Sequence, residues 1–132
     1  MKIIADTNTF LAVILSEPER DTLITLTAGN DLIAPDVLPF EIGNALSAMV
    51  KRKRLSPSEA LQAWDAIQNI PVDLRAIDIR NALEVASSFS IYAYDAYFLV
   101  CAENLRSPLL TLDKRMGDAA GEMGIRVLEV ER

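Results

Sequence analysis

The chain has no histidine among its 132 residues and a single cysteine, Cys101. The first absence removes Ser-His and Cys-His nucleophilic pairs, His-ligated zinc and imidazole acid-base chemistry in one step. The second removes any internal disulfide. No apolar run approaches the roughly 20 residues of a membrane span. Lys2 is followed at once by the short run Ile3-Ile4-Ala5, which is not a basic-then-apolar leader. These absences together imply the reducing cytoplasm. Positive charge is scarce as well: 13 Lys and Arg against 19 Asp and Glu leave a net charge of −6. Such a balance argues against a protein that coats nucleic acid through its whole surface, and leaves a local basic patch open. Whatever chemistry the chain performs must use carboxylates, hydroxyls, amines or a metal.

Hydrophobic residues make up 51% of the chain and charged residues 24%, a composition that folds. The length suits one domain over 1–132, able to bury roughly two-thirds of its unfolded surface. Short apolar runs alternate with helical patterns throughout. Ile3 to Ala5 reads as a strand buried on both faces, and the polar stretch Asp6-Thr7-Asn8-Thr9 then opens a helix. Glu17-Pro18 marks a break before a helix over 19–28, which Gly29 and Asn30 end. Leu32 to Ala34 is a second strand, and the helix after it runs from Pro39 to Arg54. Ser56-Pro57-Ser58-Glu59 starts another helix, carrying Leu61, Trp64 and Ile67. Residues 71–74 form a weak strand, and a helix runs over 78–89. Residues 94–105 are apolar on every side, as in an interior helix. Residues 108–111 read as a strand, 114–123 as a helix and 126–130 as the last strand. The alternation calls for an α/β fold: a central parallel sheet of about four to five strands, with helices on both faces.

Four acids fall at or near helix starts: Asp6, Glu41, Asp95 and Asp113. Capping and the helix dipole favour acids there in any case, at about 0.3–1 kcal/mol each. Three of the four, however, follow apolar strands directly or lie in the helix after one, so a parallel sheet brings them to its carboxyl edge, where ligands bind. Like charges about 4 Å apart at an effective dielectric of 20 repel by about 4 kcal/mol per pair. A cluster of four therefore needs a divalent cation to stay ionised, and all-oxygen donors suit Mg²⁺ or Mn²⁺. Such a site would hydrolyse a phosphodiester. On residue pattern alone, four helix caps and one metal site are both open.

The segments Ile4-Ala5-Asp6-Thr7-Asn8, Glu41-Ile42-Gly43-Asn44-Ala45, Tyr94-Asp95-Ala96-Tyr97 and Leu110-Thr111-Leu112-Asp113, in this order, resemble the PIN-domain ribonucleases, in particular the VapC-type toxins of toxin-antitoxin pairs. The resemblance covers the whole chain. It implies a PIN-like α/β domain and a Mg²⁺- or Mn²⁺-dependent endoribonuclease, with Asp6 and Asp95 as direct metal ligands and Glu41 and Asp113 completing the pocket. It further implies Asn8 and Asn44 as supporting groups that orient carboxylates or waters, Thr111 facing the same pocket, a homodimer, and a separate antitoxin protein that covers the site. Asp118 reads as a solvated helix position, although some relatives carry an extra acid after the Asp113 position.

An acidic nuclease needs local cations for its RNA, and these are concentrated in Lys51-Arg52-Lys53-Arg54 and Lys114-Arg115. Cations at a helix C-terminus also suit the dipole without any ligand. Tyr92, Tyr94 and Tyr97 surround Asp95 and could stack on a base, although tyrosines so placed are more often packing residues. Trp64 reads as core or interface, and Cys101 as buried. Two other classes compete with the nuclease. A non-catalytic binding module of the same fold would have lost pocket acids, and all four are present. Another α/β metal-dependent phosphohydrolase is the second: a haloacid-dehalogenase-type phosphatase would want an Asp where Asn8 stands, and a receiver domain's acidic pair and mid-chain Asp are missing.

Overall fold

Two isoleucines side by side at the centre of a sheet explain most of the architecture. In the computed structural model, which describes residues 1–130, Ile3 and Ile4 lie on β1 (Lys2–Ala5) and are both 0% exposed. Successive strand side chains point to opposite faces, so β1 must be covered on both. Ile3 joins Ala12, Leu23 and Leu110 in a smaller core. Ile4 joins Ile33, Leu99 and Leu109 in the larger one. Each such side chain contributes roughly 1.5–3 kcal/mol by leaving water.

The remaining elements wrap this strand. The smaller core lies under α1 (Thr7–Ile14) and α2 (Arg20–Thr27). The larger core takes in α3 (Leu38–Lys51), α4 (Pro57–Ile67), α5 (Ile79–Phe89), α6 (Ala93–Leu105) and α7 (Lys114–Glu122). With β2 (Asp31–Pro35), β3 (Asp73–Arg75), β4 (Leu109–Leu110) and β5 (Val127–Leu128), the five strands form one parallel sheet in the order β3-β2-β1-β4-β5. The chain leaves β1 for β2 on one side and later returns to β4 on the other. The crevice beyond the carboxyl ends of β1 and β4 is therefore the topological switch point of the sheet.

The expected elements are all present, and their boundaries differ for physical reasons. α3 stops at Lys51, and Lys53 turns left-handed (φ 58°) so that the Arg54 N–H reaches back to the Met49 carbonyl. The last two strands are only two residues each, Leu109 pairing with Val127 and Leu110 with Leu128. Helix α6 is buried through Ala96, Phe98, Leu99, Val100 and Ala102, as its sequence requires. Cys101 is a correction, being partly exposed where the pattern placed it in the core, and the burial it does have pushes its thiol up to about 11. Trp64 is half-buried against the main core. Among the described residues no single helix is long and apolar enough to cross a membrane, and α5 and α6, which together have the composition, are bent by 112°.

Gly43 lies inside α3, and a Cβ added there meets nothing within 4 Å. Glycine within a helix costs about 0.5–1 kcal/mol relative to alanine. Gly43→Ala is therefore expected to raise the melting temperature by roughly 2–5 °C, read by thermal denaturation. A lower melting temperature would show that the glycine serves the native backbone.

Candidate active site

Asp6 is the first residue beyond β1, and it is only 4% exposed. Its carboxylate caps α1. Oδ1 accepts from the Thr9 N–H at 3.0 Å and from the Thr9 hydroxyl at 2.7 Å, and the hydroxyl of Thr111 donates to Oδ2. Thr111 follows β4 across the crevice, and its own oxygen accepts from the Asp113 N–H at 3.0 Å. One threonine thus joins the acid after β1 to the acid after β4. Asp113 in turn caps α7, accepting from the Arg115 N–H at 2.8 Å.

The other two acids reach the crevice from helix first turns. Glu41 stands in the first turn of α3, where Pro39 suits the start of the helix, and its Oε2 accepts a short hydrogen bond from the Thr7 hydroxyl. Asp95 stands in the first turn of α6, half-buried, with no hydrogen-bond donor against it among the described residues. The electrostatics tie the four together. Burial pushes the Asp6 carboxyl above its ordinary range, against the hydrogen bonds from Thr111 and Thr9, and Asp113 pushes it in the same direction. Glu41 is raised by burial first, then by Asp95 and Asp6, against the pull of Thr7. Asp95 is raised by burial, then by Asp113 and Asp6, with Arg115 alone drawing it down.

This arrangement has more negative charge than its neighbours neutralise. Hard oxygen donors without imidazole or thiolate match the chemistry of Mg²⁺ or Mn²⁺. As the side chains stand, no group of three among the described residues is drawn closely enough to hold an ion. Both oxygens of Asp6 and one of Glu41 are engaged by threonine hydroxyls. A bound cation would have to draw the carboxylates inward, and each has lone pairs left with which to do so.

Two clefts flank Asp113. One, of about 330 Å³, is lined by Ser90, Tyr92, Asp95, Asp113 and Arg115. The other, of about 420 Å³, is lined by Thr111, Asp113, Lys114 and Asp118. Asp118 is exposed in this second cleft and does not line the one that Asp95 shares with Asp113. The basic run from Lys51 to Arg54 is exposed at the opposite end of α3 from Glu41, about 15 Å away along the helix axis. Asn8 and Asn44 are exposed and donate to none of the four acids directly. The residues that position the acids are Thr7, Thr9 and Thr111. For Thr9 a sequence signal existed, since it stands three residues after a capping Asp and its N–H is the one such a cap binds.

A carboxyl raised by folding binds its proton more tightly in the native state, so it lowers stability as pH rises through its ordinary value towards its folded one. Without metal, Asp95→Asn is accordingly expected to raise the melting temperature at pH 7 by roughly 1–3 °C, with a smaller gain near pH 4. A melting temperature lowered at pH 7 would mean that the Asp95 charge is stabilised in the fold.

Comparison with known proteins identifies the family and the fold. The PIN domain family model matches residues 3–122. Ribonuclease VapC9 of Mycobacterium tuberculosis is 30% identical over 122 residues, spanning 88% of this chain and 89% of that protein. Ribonuclease VapC3 of Pyrobaculum aerophilum is 24% identical over 123 residues, spanning 89% and 94%. The crystal structure of PAE2754 from Pyrobaculum aerophilum has the same fold, with a TM-score of 0.71 at 19% identity over 96% of this chain and 83% of that one. So does VapBC2 from Rickettsia felis, solved bound to a DNA fragment from its promoter, with a TM-score of 0.71 at 13% identity over 99% and 100%. The match runs from β1 to α7, the elements between which all four acids are held, and the chain belongs to the PIN domain family, among its VapC-type members.

Proposed function

We propose that this protein is a Mg²⁺- or Mn²⁺-dependent endoribonuclease and the toxin of a toxin-antitoxin pair, with Asp6, Glu41, Asp95 and Asp113 as its catalytic carboxylates. The observation that carries the reading is the gathering of four acids at the switch point, three of them pushed up by burial and by one another. Ribonuclease activity is supported by the names of the VapC relatives. A separate antitoxin chain is supported by the VapBC2 neighbour. A homodimer acting in the cytoplasm completes the proposal.

The divalent cation, held by Asp6 and Asp95 with Glu41 and Asp113 beside them, would polarise the phosphodiester and offset the charge that develops on it. The protein's own residues supply the rest. Thr9 and Thr111 hold the Asp6 carboxylate in one orientation, so little reorganisation accompanies the reaction. Glu41, its Oε2 committed to Thr7, has Oε1 left to take the proton of the attacking water, and its raised pKa suits that role. As water adds to phosphorus, the bond to the leaving sugar oxygen breaks, and a proton returns to that oxygen. Arg115 and Lys114 hold phosphates on either side of Asp113.

RNA cleavage is expected in Mg²⁺ or Mn²⁺ and not in EDTA, and Asp6→Asn and Asp95→Asn are each expected to reduce it by roughly 100-fold or more. Independently of activity, Mn²⁺ at about 100 times its dissociation constant is expected to stabilise the wild type by about 2.7 kcal/mol in a thermal shift assay, with most of the gain lost in Asp6→Asn. Cleavage that persists in EDTA, or in both variants, overturns the assignment. The pH profile offers a further check. Because Asp95 must be ionised and Arg115 lowers its pKa, Arg115→Ala should move the acid limb of activity to higher pH.

A further inference from the structure

Helix α6 begins at an unusual residue. Its N-cap is Tyr92, which offers no side-chain cap, at a position where Ser, Thr, Asp or Asn would accept a backbone N–H. The ring is 83% exposed, the most of any large hydrophobic side chain in the described residues. It makes no hydrogen bond or ring contact there. Its neighbour Tyr94 is engaged edge-on with Tyr97, centroids 5.9 Å apart at 89°, which leaves Tyr92 as the open aromatic face beside Asp95. A residue that neither caps nor packs, at the mouth of the cleft shared by Asp95, Asp113 and Arg115, breaks two local rules at the site where function would break them.

The turn that presents the ring is held in place. Ser90 is left-handed (φ 52°), and its carbonyl accepts from the Arg115 guanidinium at 3.4 Å. Arg115 spends one donor on this turn, and its fork has others to offer a phosphate. The cleft of about 330 Å³ has room for a nucleotide-sized group. On the far side of Asp113, Lys114 lines the second cleft, so cations stand on both sides of the acid.

We propose that Tyr92 is the stacking platform for one unpaired base of the substrate, that Arg115 takes the phosphate next to it, and that the strand continues over Asp113 towards Lys114. The proposal rests on the nuclease reading above and requires the base held by Tyr92 to be unpaired. Bases in a duplex are already stacked on one another and present no free face to a side chain, whereas single-stranded segments can splay a base onto an aromatic ring.

The test uses a short single-stranded oligoribonucleotide carrying a fluorescent base analogue, titrated in Mg²⁺ into the full chain made inactive by Asp6→Asn, or by Asp95→Asn should the first variant not fold. Adding Tyr92→Ala is expected to abolish the quenching of the analogue and weaken binding roughly 5- to 100-fold, while Tyr92→Phe retains both. The same sequence as a duplex is expected to bind more weakly than the single strand. Arg115→Ala should instead flatten the salt dependence of binding. Unchanged binding by the Tyr92→Ala variant, or equal binding of duplex and single strand, overturns the proposal. So does unchanged RNA binding accompanied by loss of a co-purifying protein partner, which assigns Tyr92 to a protein interface. Cleavage by the otherwise wild-type chain separates the two readings. Tyr92-dependent quenching without any cleavage keeps the platform and removes the nuclease. Cleavage with the same KM in wild type and Tyr92→Ala keeps the nuclease and removes the platform.

Discussion

A carboxylate buried to 4% exposure beyond the central strand is the constraint to which the rest of the site conforms. Taking an ion out of water is costly unless hydrogen bonds replace its hydration. Asp6 meets that requirement locally through Thr9 and at long range through Thr111. The second of these is possible only because β4 lies beside β1, with Ile4 opposite Leu109 and Ala5 opposite Leu110. Strand register, the capping of α1 and the orientation of one acid are therefore a single arrangement, and altering any of them disturbs the others.

Repulsion among the acids is left in place by the fold. Threonine hydroxyls can orient carboxylates, but they carry no charge to cancel theirs, and Arg115 is the one cation that draws down Asp95. The ion pairs among the described residues lie elsewhere, at Arg20–Asp21, Arg75–Asp73 and Arg80–Glu84, all on the surface. The uncompensated charge is gathered at the crevice, and the apolar burial in the two cores. That distribution is characteristic of a site kept ready for a charged ligand.

Much of this could be read from the residues, because the signals are local. Each acid closes an apolar run or opens a helix, and the all-round apolar pattern of 94–105 can belong only to an interior helix. What could not be read depends on strand order. Alternating strands and helices imply a parallel sheet, yet nothing in the residue pattern says that β4 pairs with β1, so only the family resemblance pointed Thr111 at the pocket of Asp6. Asn8 and Asn44, named from the resemblance, are both exposed. Proximity in sequence to an acid does not decide which face of a helix a side chain occupies, and both project into solvent. The exposure of Tyr92 escaped as well, since hydrophobic periodicity has no power at the residue that precedes a helix.

The hydrogen bond between Asp6 and Thr111 joins residues 105 apart in the chain. A chain growing from its N-terminus has Asp6 and Glu41 long before it has β4, Thr111 or Asp113, with Asp95 following only shortly before them. Until those last residues emerge, the central strand lacks one of its two neighbours, and its acid lacks a hydroxyl donor. The crevice is thus joined across the sheet only when this loop of 105 residues closes.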